Sequence, residues 1–329
     1  MNMPFRTALS PVSAPFQIGH NDQLLLIGSC FTEHIGQKLA ACKFQTLNNP
    51  FGIVYNPSSI VQCLDRLGAG DQLFAENELF ENAGLWHSWE HHGCFSKPGK
   101  KETLEGINSA YLKAAEALKK TDVLLLTFGT AEVFSLRQTG QVVANNHKMP
   151  GALFEQQRLS VSEIVENTLE VLERLAQLRA SAPVKVILTV SPVRHLRNGL
   201  VENQRSKAAL ILACEEICRQ QTSAQYFPAY ELLLDDLRDY RFYAADMVHP
   251  TAVAVDYVWQ FFSETFFSEP TSRLNDRIGK VLAGFQHRPF NPQTAQHQAF
   301  LRQQLELIAS LKQEHPRLDF GEEEAFFKR

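Results

Sequence analysis

No stretch of the 329-residue chain approaches the roughly twenty consecutive apolar residues that a membrane-crossing helix needs. The opening Met1-Asn2-Met3-Pro4-Phe5-Arg6 lacks the apolar core of a secretory signal, so a cytoplasmic protein is expected. Charge of one sign is equally scarce. Lys and Arg total 32 against 36 Asp and Glu, the formal net charge is -4, and the basic residues form no stripe. Nucleic acid and membrane surfaces are therefore poor partners, and a small-molecule or carbohydrate ester substrate fits better. Cysteine is sparse, at 30, 42, 63, 94, 214 and 218, with no Cys-x-x-Cys pair and several positions on apolar helix faces, which argues against a disulfide framework. His87, His91, His92 and Cys94 crowd together, but at no zinc-finger spacing and with no second ligand pair nearby, so neither a metal nor a cofactor is expected.

What the chain does contain is an apolar run that stops abruptly on a glycine. Leu24-Leu25-Leu26-Ile27 leads into Gly28-Ser29-Cys30, after which Phe31, Ile35 and Leu39 recur every fourth residue. The pattern predicts a buried strand, a tight turn and an amphipathic helix. Ser29 and Cys30 then sit at the helix N-terminus, where free backbone N–H groups and the helix dipole favour a thiolate or an oxyanion. Serine there also serves as an ordinary N-cap. Far downstream, Asp246-Met247-Val248-His249-Pro250 puts a carboxylate three residues before an imidazole, close enough to fix its tautomer and form two-thirds of a hydrolytic triad.

Between these ends the periodicity alternates. Asn56-Pro57 reads as N-cap and first turn of a helix with Ile60, Leu64 and Leu67 on one face. Residues 68–99 are irregular, with Leu85-Trp86-His87-Ser88-Trp89 read as a strand or an insertion over the sheet edge. A helix over about Leu104 to Lys119 precedes the strand Val123–Phe128, which Gly129 ends as Gly28 ended the first. Glu132 to Asn145 reads as a β-hairpin, Ser160 with Glu163 as a capping box, and Val184–Val190 as a further strand. The expected fold is α/β, a three-layer α/β/α sandwich around a mostly parallel sheet, over residues 1–268, with a helical appendage over 269–329. Ligands in such sheets bind at strand carboxyl ends, where Gly28-Ser29-Cys30, Gly129-Thr130 and Ser191-Pro192 all fall.

Gly28-Ser29-Cys30-Phe31, with Thr32 in place of the fifth-letter alanine, resembles the naming motif of the GSCFA-domain proteins, a bacterial branch near the SGNH (GDSL-type) hydrolases. Asn49 to Pro57, Asn145-Asn146-His147-Lys148, Ser191-Pro192-Val193-Arg194-His195 and Asp246 to Pro250 extend the resemblance up to the last helices. It implies a flavodoxin-like fold and an esterase or O-acyltransferase that works on an acylated carbohydrate or similar metabolite through a covalent acyl-enzyme. In the SGNH register the nucleophile stands two positions after the glycine, which favours Cys30 and puts Ser29 in the aspartate's place, with both kept as candidates. His249 would shuttle the proton and Asp246 would orient it.

For the oxyanion hole the resemblance nominates Gly52, Gly129 and Thr130. Ala131 occupies the asparagine position of the SGNH Gly-x-Asn turn, so one amide donor is missing unless Asn49 or Asn146 substitutes. One lost donor costs about 10²- to 10³-fold in rate, which keeps open the alternative of a catalytically impaired protein that binds a glycan or metabolite without turnover. Trp86, His87, Trp89 and His92 read as walls of a sugar or acyl pocket, joined by Asn49, Asn146 and His147. Arg194 or Lys148 would meet an anionic group or stay as solvated surface charge, and His195 is a further substrate-binding candidate.

Overall fold

The computed structural model describes residues 6–12, 14–70, 72–178 and 183–328; residues 1–5, read above for a signal segment, lie outside them. In chain order the elements are β1 (Gln23–Gly28), α1 (Cys30–Ala41), β2 (Gln45–Asn48), α2 (Pro57–Gly68), β3 (Leu79–Asn82), β4 (Leu85–Ser88), α3 (Lys100–Lys120) and β5 (Val123–Phe128). There follow β6 (Glu132–Leu136), β7 (Val142–Val143), β8 (Phe154–Arg158), α4 (Val161–Gln177), β9 (Lys185–Val190), α5 (Gly199–Gln220), β10 (Ala224–Phe227), the single turn α6 (Ala229–Glu231) and α7 (Ala252–Phe266). The chain ends in α8 (Glu269–Gln286), α9 (Ala295–Glu314) and α10 (Gly321–Phe327).

Because side chains alternate along a strand, the apolar run of β1 sends Leu25 and Ile27 to one face and Leu24 and Leu26 to the other, all buried. A strand buried on both faces needs helices on both sides. Ile60 and Leu64 of α2, Ile107 and Tyr111 of α3, Ile164 and Leu172 of α4 and Leu210 and Ile217 of α5 form a cluster with Leu25 and Ile27. Phe31, Ile35 and Leu39 of α1 and Val258, Phe262 and Phe266 of α7 form another with Leu24 and Leu26. The result is a mixed α/β fold on a five-stranded parallel sheet ordered β10-β9-β5-β1-β2. Local signals act as the sequence suggests: Asn56 Oδ1 accepts the Ser59 N–H at 2.8 Å, and Ser160 and Glu163 close a reciprocal capping box at 3.2 and 2.8 Å.

Counted along the chain, the parallel strands run in the order 2-1-3-4-5. The order reverses between β1 and β5, so a crevice opens at their carboxyl ends, beside Gly28 and Phe128. Two excursions border it. Residues 85–88 form one half of the antiparallel β3–β4 hairpin, and the expected hairpin over Glu132–Asn145 is part of a three-stranded sheet ordered β7-β6-β8. β8, Phe-Glu-Gln-Gln-Arg, exposes all but its first residue and so carries no alternation to reveal it. Beyond α7, helices α8, α9 and α10 bury Leu274, Ile278, Ile308, Leu311 and Phe327 in a cluster of their own. A largely buried ion pair, Lys43 to Glu323 at 2.7 Å, fastens it to the end of α1. Among the described residues no helix is long and apolar enough to cross a membrane.

Candidate active site

Gly28 closes β1 with φ +155°, and a Cβ there would lie 2.4 Å from the Thr127 carbonyl oxygen, so only glycine lets the strand end so close to β5. Asn49 Oδ1 accepts the Gly28 N–H at 2.9 Å and pins the turn from the β2 side. Ser29 is wholly buried, and its Oγ accepts the Phe31 N–H at 3.3 Å as the N-cap of α1. Cys30, the first helical residue, is half-buried. Of the two candidate nucleophiles, only the cysteine is partly exposed.

A helix N-terminus alone would lower a thiol pKa, and the Cys30 and Phe31 N–H groups do act in that direction. Burial and the carboxylate of Glu33 outweigh them and push the Cys30 thiol up. The thiol expected as a thiolate is thus protonated at rest and needs a proton acceptor. The same site reaches the Tyr55 phenol, whose pKa is raised by burial and then by Cys30 and Glu33.

The floor of the crevice is the turn after β5. Gly129 packs so closely that a Cβ would lie 3.0 Å from the Tyr55 carbonyl oxygen, 3.1 Å from His195 Nε2 and 3.3 Å from Ser29 Cβ. From α5, Ser206 Oγ accepts the Ala131 N–H at 2.7 Å and bonds Thr130 Oγ1 at 3.0 Å. The next residue, Lys207, is buried, with Nζ donating to the Gly129 and Ser191 carbonyl oxygens at 2.6 Å each. His195 lies edge-on to Tyr55, at 5.3 Å between ring centres, and its buried Nε2 has no partner among the described residues. Burial, then Lys207 and His249, hold its pKa down to about 3, so the ring is neutral.

Asp246 and His249 are joined as the spacing suggests. His249 Nδ1 lies 2.7 Å from Asp246 Oδ2, while Asp246 Oδ1 accepts the Val248 and His249 N–H groups at 2.9 and 3.0 Å. The backbone N–H and ring of His249, with the Val248 N–H, hold the Asp246 carboxyl down to about 2. The turn before α5 supports this loop, since Arg194 donates its N–H to Val248 O and its guanidinium to Met247 O. His249 lies near enough to lower the pKa of His195 and of His34, which α1 places one turn after Cys30. Val248 and Cys30 pack against the same apolar cluster. The opening turn and the loop that carries the acid–imidazole pair thus meet on one apolar cluster.

Other nominated residues divide. The backbone donors proposed for an oxyanion hole are already engaged: Gly52 N–H to Asn49 O at 2.8 Å, Gly129 and Thr130 N–H to Tyr55 O at 2.7 and 3.0 Å. Asn49 keeps a buried Nδ2 with no partner among the described residues, whereas Asn146 Oδ1 caps its own turn at the Lys148 N–H. His92 touches the rim, its Cβ only 2.4 Å from where a Gly52 Cβ would stand. The remaining rings pack on their neighbours, and Trp89 also lines a cleft of about 270 Å³ with Phe80 and Ser88. Trp86 lies under the Lys100 ammonium, Trp89 stacks on Phe80 at 3.7 Å, and His87 and His147 are buried 4.4 Å apart. His87 is held by Ser96 Oγ and Asn82 O, and His147 Nε2 by Ser88 O at 2.8 Å. Arg194 faces a cleft of about 330 Å³, its guanidinium 4.0 Å from the Tyr243 ring centre. Among the described residues no three His, Cys, Asp or Glu side chains converge as metal ligands.

Sequence reasoning missed Ser206 and Lys207. Both lie on the stripe Asn203, Ser206, Lys207, Leu210, Ala213, Cys214 and Ile217, the buried face of α5, so a lysine in register with core positions was the available signal. No curated protein matches the chain. Residues 23–262, which carry every element of this crevice, match the GSCFA family, and residues 278–329 match the GSCFA domain protein C-terminal domain. With well over half its length so matched, the chain belongs to the GSCFA family.

Proposed function

We propose that the chain is an SGNH-like acyl-transfer enzyme, an esterase or O-acyltransferase, in which Cys30 attacks and His249 moves the proton. The observation that carries the reading is the 2.7 Å Asp246–His249 hydrogen bond, which commits Nδ1 and leaves Nε2 for proton transfer; the packing of Val248 and Cys30 on one apolar cluster supports pairing it with the thiol. The strand order and the Asp-x-x-His pair ahead of a helix support the SGNH likeness. His249 Nε2 takes the Sγ proton as Sγ bonds to the acyl carbon. The tetrahedral intermediate then expels the alkoxide, which leaves with that proton. Water or another hydroxyl next attacks the thioester, giving up a proton to Nε2, and Sγ departs as it takes that proton back from Nε2, which restores the thiol and the neutral imidazole. The protonated resting thiol makes the imidazole necessary.

Exposure favours Cys30 over Ser29, whose hydroxyl meets substrate only if the helix end opens. The engaged N–H groups of Gly52, Gly129 and Thr130 favour the second reading, a binder without turnover. Hydrolysis of p-nitrophenyl acetate, compared in wild type, Cys30→Ala and His249→Ala, decides between them. Loss of turnover in both variants is expected. Equal rates in all three proteins would overturn the acyl-transfer reading.

A further inference from the structure

The cleft that Arg194 faces presents a cation for which the described residues supply no anion. It opens over the apolar side chains of Leu233 and Leu234, holds about 330 Å³, and is bordered by Arg194, Gln204, Tyr240 and Tyr243. Two rings fix the guanidinium, with centres 4.0 Å away in Tyr243 and 5.2 Å away in Tyr240. It gives one N–H to Met247 O at 3.4 Å and another to the Tyr243 side chain, and among the described residues no carboxylate bonds to it. Asp239, at the rim, is paired with Arg241 at 2.9 Å, and the second rim cation, Arg238, with Asp235 at 3.2 Å. Gln204 adds to the imbalance: its Oε1 accepts the Tyr230 O–H at 2.6 Å, which sets the amide and leaves Nε2 as a further donor. A half-buried guanidinium with directed N–H groups and no anion is the arrangement that recognises an oxyanion.

We propose that this cleft is the subsite for an oxyanion, a carboxylate or a phosphate group, carried by the substrate, with Arg194 as its bidentate contact and Gln204 Nε2 as a further donor. The inference rests on the acyl-transfer reading for what the ligand carries, but not for the site itself. Its place suits that use. The backbone N–H of Arg194 donates to Val248 O at 3.3 Å and the guanidinium reaches Met247 O, so the residue that binds the anion also holds the stretch between Asp246 and His249. Met247 stands at φ +57°, a conformation that costs a non-glycine residue energy and persists where its neighbours fix it. An anion seated on Arg194 is thus set in one frame with the imidazole, as a charged handle must be if it is to orient the bond that breaks. A neutral ester lacks that handle.

Titration calorimetry with inorganic phosphate and with succinate at low ionic strength reads the site without turnover. Saturable binding of at least one is expected in wild type, phosphate alone marking a phosphorylated substrate and succinate alone a carboxylate one. Gln204→Glu keeps an oxygen for the Tyr230 hydroxyl but puts a negative charge where the free donor stood, so affinity is expected to fall at least about tenfold, as in Arg194→Gln. Binding of neither anion to wild type, or equal binding in either well-folded variant, overturns the proposal. Should the variants not fold, wild type gives the reading: labelling of Arg194 by phenylglyoxal, followed by peptide mapping, is expected to slow when the anion is present. An unchanged rate would equally overturn it. Where an anion binds at Arg194 yet Cys30 accepts no acyl group, acyl transfer fails and the subsite stands; where Cys30 is acylated and no anion binds, the subsite alone fails.

Discussion

His91 offers a sharp test of how burial governs this protein. Its ring lies between Phe51, Phe74 and Phe95, with Nδ1 bonded to Ser88 Oγ at 3.0 Å and Nε2 buried without a partner among the described residues. Burial first, then the charges of Arg66 and His147, hold its pKa down to about 3. The folded chain keeps the ring neutral, while the unfolded chain takes up a proton as pH falls through about 6.5. The stability due to the neutral ring is thus complete above about pH 6.5 and is lost between there and about pH 3. At about pH 5.5 the loss from this one group is about 1 kcal/mol, since each pH unit below the unfolded value costs about 1.4 kcal/mol. Urea unfolding of wild type and His91→Leu at about pH 7 and about pH 5.5 measures it. The variant, which has no proton to take up, is expected to lose less stability by about 1 kcal/mol. An identical pH dependence in both proteins would refute the reasoning.

Gly28→Ala places a methyl group against the Thr127 backbone at a positive φ, so the melting temperature is expected to fall by about 5 °C or more, as differential scanning fluorimetry would show; an unchanged value would mean that β1 and β5 separate freely. Ser29→Ala removes the N-cap, which is expected to cost about 1 kcal/mol in denaturant unfolding while Cys30 still accepts an acyl group; abolished acylation in a folded variant would return the nucleophile to Ser29. Glu323→Gln leaves Lys43 without its partner in a nearly closed site, and limited proteolysis is expected to release α8–α10 sooner than in wild type, an unchanged cleavage rate contradicting the role of that ion pair.

The central strands were legible because β1, β5 and β9 are buried on both faces and therefore read as apolar runs. The edge strands β2 and β10 were not, since four residues, uniformly half-buried in β2 and buried only at the ends in β10, give no period. Asp246 and His249 could be paired from spacing alone because their contact is local. His87 and His147 could not be recognised as packing groups, because the carbonyls that satisfy them, Asn82 and Ser88, are brought in by the β3–β4 hairpin. Cys30 shows the limit of a local argument. The helix N-terminus acts on the thiol as expected, but burial and Glu33, set by the surrounding fold and by the next turn of α1, decide the sign. Lys207 escaped notice because the two carbonyls that hold it, of Gly129 and Ser191, follow strands far from it in sequence.

The nucleophile itself is open to one direct measurement. Wild type and His249→Ala are mixed with p-nitrophenyl acetate, quenched in acid at short times, and followed by intact mass with peptide mapping of any adduct. The expected result is an acetyl group on the peptide bearing Cys30, formed rapidly in wild type and at least about a hundredfold more slowly without the imidazole. Acetylation at any other residue, or at Cys30 with the same rate in both proteins, would contradict a Cys30–His249 couple.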